Sequence, residues 1–367
     1  MTDILAALAP SPEVIRIVLV DHVKPRFSPT PHPDLSLDTG RRLRRPAGGP
    51  AAAMDMFDGQ LWKQELGTPA TVLWCTAHVS GDDFESLWHL LIPPIMTMLD
   101  DYETRYKIWG VRNAAILIDR APPVIIKRTG IGALLHESLC KMFMHLHDPE
   151  TPALLRISTP TYIRLVNTIY DGDSAERLDR LFHLLGQSVI GTVWGYASQD
   201  EETINATIDL LPSIFDELGI STCRYLKFLV PQLIHPMTAD PVQKVSAQLY
   251  LASLSTLRCL MRTCQERIPG AWSTVIITSL SRGWIKSHDV DADTRGATMK
   301  LIREELRSTL GVLFAVSPSA QVSLPPTARL SSDVLQVEYD QIRYAEPDLF
   351  RDFMPMSSAA SEEQVGE

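Results

Sequence analysis

The stretch LWHLLIPPI, Leu87–Ile95, places large apolar side chains on a helical period and then runs into paired prolines. It returns as YLKFLVPQL, Tyr225–Leu233, again with a proline after an apolar triplet and an acidic turn beyond. A third run, DLLPSIFDEL around Pro212, shares the first half of the pattern. The turns that follow have their own order, an acid, a base four residues on, and a small residue three later. The three sets are Glu103, Lys107, Gly110; Asp240, Lys244, Ala247; and Asp291, Arg295, Thr298. On a helix such residues share a face. The acid suits the N-terminal end of the helix dipole, the base is expected to reach carboxylates of the neighbouring repeat, and the small residue lets the next helix approach.

Outward from these turns the same 3.6-residue period recurs. Leu135, Leu139, Met142, Phe143 and Leu146 follow it, as do Ile204, Ile208, Leu211, Phe215 and Leu218, and Met299, Ile302, Leu306 and Leu310. No stretch alternates with period two. Ser11-Pro12, Thr68-Pro69, Thr159-Pro160 and Asp240-Pro241 read as helix starts, because an oxygen before proline can cap the first turn. Gly81 and Gly219 read as stops. The pattern predicts an all-α chain of HEAT-like helical pairs stacked as a solenoid. An irregular helical bundle is the competing reading, and a scattering radius near ~21 Å would favour it.

At 367 residues the chain exceeds what one core usually serves, roughly 250 to 300 residues. Four regions are expected: N-terminal helices over 1–23, a flexible Pro/Arg/Gly-rich linker over 24–60, the repeats over 61–316, and an acidic C-terminal segment over 317–367 with a disordered end. The linker's RRLRR run, Arg41 to Arg45, reads as a solvated basic turn, with nuclear import as the alternative. The net charge is −10, and residues 331–367 carry nine acids against Arg343 and Arg351. A nearly neutral body with an acidic tail repels phosphate backbones, so nucleic acid is not an expected partner. The five scattered cysteines form no C-x-x-C pair and read as reduced core thiols. No run is apolar enough for a membrane span, and the N-terminus lacks a basic leader. The cytoplasm and nucleus are the expected locations.

Each pattern that hints at chemistry fails on a named residue. Asp289 to Lys300 opens like a calcium loop but has Thr294 and Lys300 where glycine and a bidentate glutamate belong. His145, His147, Asp148 and Glu150 are ligand types, yet two His one residue apart diverge on a helix. A helical hydrolase built on His145, His147 and Asp148 is the enzyme alternative. GQSVIG, Gly186 to Gly191, is one residue too long for a nucleophile elbow. TGIGA, Thr129 to Ala133, lacks the strand and third glycine of a dinucleotide loop. Trp88, Trp194 and Trp284 read as core residues. No catalytic, cofactor or metal site is expected, and the chain reads as a protein-binding module.

The run WHLLIPPIMTMLDDYETRYKIWG, Trp88 to Gly110, followed by KRTGIGALLHESL, Lys127 to Leu139, resembles the Tel-two-interacting protein two family. The residues that carry the likeness are Trp88, Pro93, Pro94, Asp100, Asp101, Lys107, Gly110, Arg128, Thr129 and Gly130. Upstream, Val72-Leu73-Trp74 and Trp62-Lys63 also fit. The likeness is sharp over 61–146 and general, as helical repeats, to about residue 316, and after Leu146 the chain, reading LHDPETPALL from Leu146, departs from the family's usual Leu-Pro and Leu-Thr stretch. The resemblance implies a non-catalytic HEAT-like subunit of the TTT complex. Its implied direct partner is Tel-two-interacting protein one, with the Tel-two protein, the heat-shock chaperone system and the phosphatidylinositol-kinase-related kinases reached through the complex. DNA-damage signalling, telomere maintenance and kinase stability are the implied roles, and the motif residues are expected to serve the repeat turn or a partner. A generic HEAT adaptor in transport or trafficking is the alternative.

Overall fold

The structure, a computed structural model, describes residues 10–47, 57, 59–239, 245–288, 296–321 and 332–350. The described residues are overwhelmingly helical, and their only sheet-like pairing is one isolated antiparallel bridge between Leu35 and Arg42. The chain divides into two compact units, residues 1–210 and 211–367. No helix among the described residues is long and apolar enough to cross a membrane.

In the first unit α1 (Pro12–Ile17) continues through a π-helical turn (Val18–Val23) into α2 (Lys24–Phe27). Ser11 starts it as the sequence suggests, its hydroxyl accepting from the Val14 N–H at 3.4 Å. After a 3-10 turn at Leu61–Lys63 come α3 (Thr68–His78), α4 (Phe84–Leu99), α5 (Thr104–Arg120), α6 (Pro123–Arg128), α7 (Ile131–Met142) and α8 (Thr151–Ile169). Then α9 (Ala175–Phe182) runs through π-helical His183–Val193 to α10 (Trp194–Tyr196). In α11 (Glu201–Leu218) the chain passes into the second unit. Helix α5 packs on α4 and on α3, and α8 packs on α5 and α7. Contact with the neighbour and with a helix two or three further along the chain is the pattern of stacked helical pairs, which cannot bury their apolar stripes alone.

The second unit repeats that logic. Helix α12 (Leu226–Thr238) packs on α13 (Ala247–Thr263) and α14 (Ala271–His288), and α15 (Gly296–Val316) packs on α13 and α14. Leu233, Met237, Leu257, Leu280, Trp284 and Leu310 fill the space between them. The segment beyond 316 does not stand apart over its described part. Within α16 (Ser332–Ala345) and α17 (Pro347–Phe350), Tyr339, Leu349 and Phe350 are buried, and the Phe350 ring lies 6.5 Å from that of Phe314 on α15. Residues 351–367, with the expected disordered end, lie outside the described residues.

Several local expectations change. Residues 24–47 are not a free linker: Phe27, His32 and Leu35 are buried, and the segment lies as an arm against α4 and α7. Thr159-Pro160 is interior to α8, which begins instead at Thr151-Pro152, where another Thr-Pro pair meets a turn. Gly219 has the left-handed φ of +52° expected of a stop, whereas Gly81 does not. Asp240, Lys244, Asp291 and Arg295 of the repeat turns, most of the calcium-like loop (289–295), and linker residues 48–56 and 58 lie outside the described residues.

Candidate functional site

The motif residues converge on the turn between α4 and α5. From Leu90 onward α4 is covered all round: Leu91, Ile92, Ile95, Met96 and Leu99 are fully buried, each stabilising the fold by about 1.5–3 kcal/mol before entropy. That burial offsets Pro93 and Pro94 in its interior, where a proline costs about 3 kcal/mol through a lost N–H and a clash one turn back. The pair faces the arm, bordering a small gap also lined by Phe27 and Leu37.

Beyond Leu99 the two acids divide their labour. Asp100 closes α4, and its Oδ2 lies 3.1 Å from His32 Nε2 of the arm and 3.7 Å from Lys141 Nζ. His32 Nδ1 accepts from the Asp34 N–H at 3.2 Å, so the ring proton sits on Nε2 and is donated to the carboxylate. Burial pushes the Asp100 carboxyl up, but the His32 hydrogen bond and the Lys141 charge outweigh it and hold the group below its ordinary value.

Asp101 is fully buried. Its Oδ1 accepts from the Glu103 N–H at 2.9 Å, the aspartate turn that opens α5, and Lys63 Nζ lies 2.8 Å from Oδ2 and 2.8 Å from Glu103 Oε1. The same ammonium sits 4.3 Å from the centre of the Tyr102 ring and 4.7 Å from that of Tyr106. Burial opposes the charge on Lys63, yet the Asp101 and Glu103 hydrogen bonds keep its pKa above the ordinary value.

Lys107, 2% exposed, does not reach a neighbouring repeat as the turn pattern suggests. It donates to the Leu99 carbonyl at 3.2 Å and thereby caps the helix before it. Burial pulls it down to about 8, opposed by Asp100 and Asp101. Gly110 has a steric reason: a Cβ there would stand 2.7 Å from Leu99 Cα and closer still to Leu99 N. The small residue at this point of α5 sets the approach to α4, as the sequence pattern required.

The remaining motif residues meet the arm's far end. Trp88 Nε1 donates to the Gly40 carbonyl at 3.1 Å. Gly40 has φ +62°, and a Cβ there would stand 3.0 Å from His89 Cα. The Arg42 N–H donates to the Thr129 carbonyl at 3.1 Å, its guanidinium pairs with Glu137 at 2.9 Å, and Gly130 (φ +75°) leaves room for its Cβ. Arg42 is thus docked on α7, while Arg41, Arg44 and Arg45 of the basic run stay exposed. Arg128 alone of the set points to a partly exposed ion pair, with Glu85 at 2.5 Å.

One arrangement accounts for these contacts: Trp88, the prolines, Asp100, Thr129 and Gly130 receive the arm, while Asp101 receives Lys63 just after it. Sequence reading found the receiving side. It missed His32, Gly40 and Arg42 as its counterparts, because nothing local marks a pairing across 68 residues. Among the described residues no group of three or more His, Cys, Asp or Glu is placed to hold a metal ion. His145, half-buried in the loop after α7, is pushed down to about 4 by burial and by Lys107.

No solved structure matches the chain. TELO2-interacting protein 2 of Rattus norvegicus is 23% identical over 214 residues, 57% of this chain and 40% of that protein, so the likeness spans less than half of the curated relative. The Tti2 family model matches residues 2–243, which include the arm, the α4–α5 turn and all of the first unit but Met1. The chain belongs to the Tti2 family.

Proposed function

We propose that this chain is a non-catalytic scaffold subunit of the TTT complex, working as a co-chaperone that supports maturation and stability of phosphatidylinositol-kinase-related kinases. The family match over residues 2–243 carries the reading. The rat relative's name, an interactor of TELO2, supports placing the chain beside the Tel-two protein. The larger solenoid subunit, Tel-two-interacting protein one, is its direct partner, and it works in the cytoplasm and nucleus. Stacked helical pairs suit such a role, since they present long surfaces on a frame held by local contacts.

Under this reading the acid pair, Lys107 and Gly110 act from within: their polar groups are used by the arm, Lys63 and Leu99, so they hold the frame that presents the binding surface. The test is affinity purification of the tagged full chain from its native cell, followed by mass spectrometry. Recovery of the other two TTT subunits is expected. Recovery of transport or trafficking factors without either subunit would overturn the assignment in favour of a general adaptor.

A further inference from the structure

A cleft of about 650 Å³ opens in the first unit, bounded by α6 and α7 on one side and by Ile169, Tyr170 and Arg180 on the other. Its size is that of sites that hold drug-sized ligands, roughly 300–1,000 Å³. The floor is apolar, with Ile126, Ala133 and Ile169. The charged groups on its wall are three cations, Lys127, Lys141 and Arg180, against one carboxylate, Glu137.

These cations are poorly neutralised. The single carboxylate lining the cleft, Glu137, is engaged by Arg42 at 2.9 Å. Lys141 is 57% exposed and lies 3.7 Å from an Asp100 that His32 already holds. Among the described residues no carboxylate stands within ion-pair distance of Lys127 or Arg180. Arg180 instead gives one hydrogen bond to His136 Nε2, at 3.3 Å, leaving most of its N–H donors uncommitted. His136 stays a neutral acceptor, since burial, Arg180 and His183 push it down to about 4. In turn His136 is held by the Tyr162 hydroxyl at 2.8 Å, and that hydroxyl lies 3.1 Å from the Arg180 carbonyl. The guanidinium is therefore anchored by the half-buried His136, itself held by the buried Tyr162, a built feature rather than a loose surface charge.

A net-positive rim over an apolar floor, in a chain whose total charge is −10, fits one kind of occupant best. A bare polyphosphate would waste the floor and meet Glu137. A peptide segment satisfies both parts, with carboxylates at the rim and an apolar side chain below. We infer that the cleft is a docking site for a short acidic peptide segment of a partner protein, its carboxylates set against Lys127, Lys141 and Arg180 and one apolar side chain on the Ile126–Ile169 floor. The inference goes beyond the assembly proposed above, because it concerns the chemistry of the segment whichever protein supplies it.

The test uses the full chain and a fluorescein-labelled synthetic peptide of glutamates flanking one leucine, read by fluorescence anisotropy. Saturable binding is expected, weakened about tenfold or more by Lys127→Glu or Lys141→Glu, since a reversed rim charge typically costs on the order of 1.4 kcal/mol. Lys127 is exposed, so the melting temperature of Lys127→Glu should hold, whereas Lys141→Glu also sets a second carboxylate beside Asp100 and is read against its own melting curve. Arg180→Gln should weaken binding further, though it also touches His136, and the lysine variants keep the test sound if it unfolds. Replacing the peptide's leucine by serine should weaken binding as well. Absence of saturable binding up to about 1 mM peptide, or binding indifferent to both lysine reversals, overturns the inference. So does equal binding of the leucine-free peptide with displacement by inorganic tripolyphosphate, which marks a small-anion site instead.

Discussion

At Gly110 the backbone of α5 lies so close to α4 that a methyl group would stand 2.7 Å from Leu99 Cα, and the obstacle is backbone rather than a side chain that could swing away. Gly110→Ala should therefore destabilise the chain by about 1–3 kcal/mol or more, as overpacking does, despite alanine's better helix propensity. Urea denaturation reads it as a lower midpoint, and an unchanged or raised midpoint would contradict the close approach. Lys107 makes a different prediction. Its folded pKa is lowered from 10.5 to about 8 by burial, so between those values the unfolded chain binds more protons than the folded one. Stability contributed through this group must then rise as pH is raised from 8 to 10.5. Lys63, held above its ordinary value, acts with the opposite sign as pH climbs through its raised pKa. Buried thiols such as Cys75, pushed up to about 12 by desolvation, also titrate in alkali. The informative quantity is accordingly the difference between wild type and Lys107→Met. The variant should lose part of the upward slope, and parallel curves for the two proteins would refute the buried-lysine account.

The arm of residues 28–47 is held by a few specific contacts: His32 on Asp100, the Gly40 carbonyl on Trp88, and Arg42 on Thr129 and Glu137. Removing one should loosen the arm without melting the helices beneath it, because those are buried by their own neighbours. His32→Ala and Trp88→Phe are expected to speed amide hydrogen exchange over 28–47 while α5 and α8 keep their protection. Equal acceleration across all three would mean the arm is part of the core. Acid gives an independent handle. The lowered Asp100 carboxyl contributes stability that is full above the ordinary value of 3.8 and is lost as pH falls through the folded pKa. The helices were legible in the sequence because burial of one face writes a 3.6-residue period. The arm was not, since its order rests on hydrogen bonds to partners far along the chain and its Pro and Gly content looks like a linker. For the same reason the acid pair and Gly110 could be singled out from the turn pattern, while Lys107's partner was misjudged: a cap on the preceding Leu99 carbonyl leaves no mark that differs from a bridge to the next repeat.

Within each unit the recurring contact is between a helix and its neighbour or one two or three further along, so each pair is stabilised mainly by what is stacked against it. A partner that covers further surface adds to that ledger by mass action, because it binds the folded chain and not the unfolded one. For a scaffold subunit this gives a quantitative expectation. A direct partner present at about a hundred times its Kd contributes about 2.7 kcal/mol. For units of this size about 1 kcal/mol moves a melting temperature by roughly 2–4 °C, so an excess of Tel-two-interacting protein one, its free concentration about a hundred times Kd, should raise melting by roughly 5–10 °C. The same shift should appear in Gly110→Ala, starting from a lower baseline, because that lesion lies in the α4–α5 packing. A purified pair that co-elutes with no change in melting would place the contact on a surface uncoupled from the folded helices. A pair that does not form at all would remove the scaffold reading, whatever the behaviour of the acidic-peptide cleft.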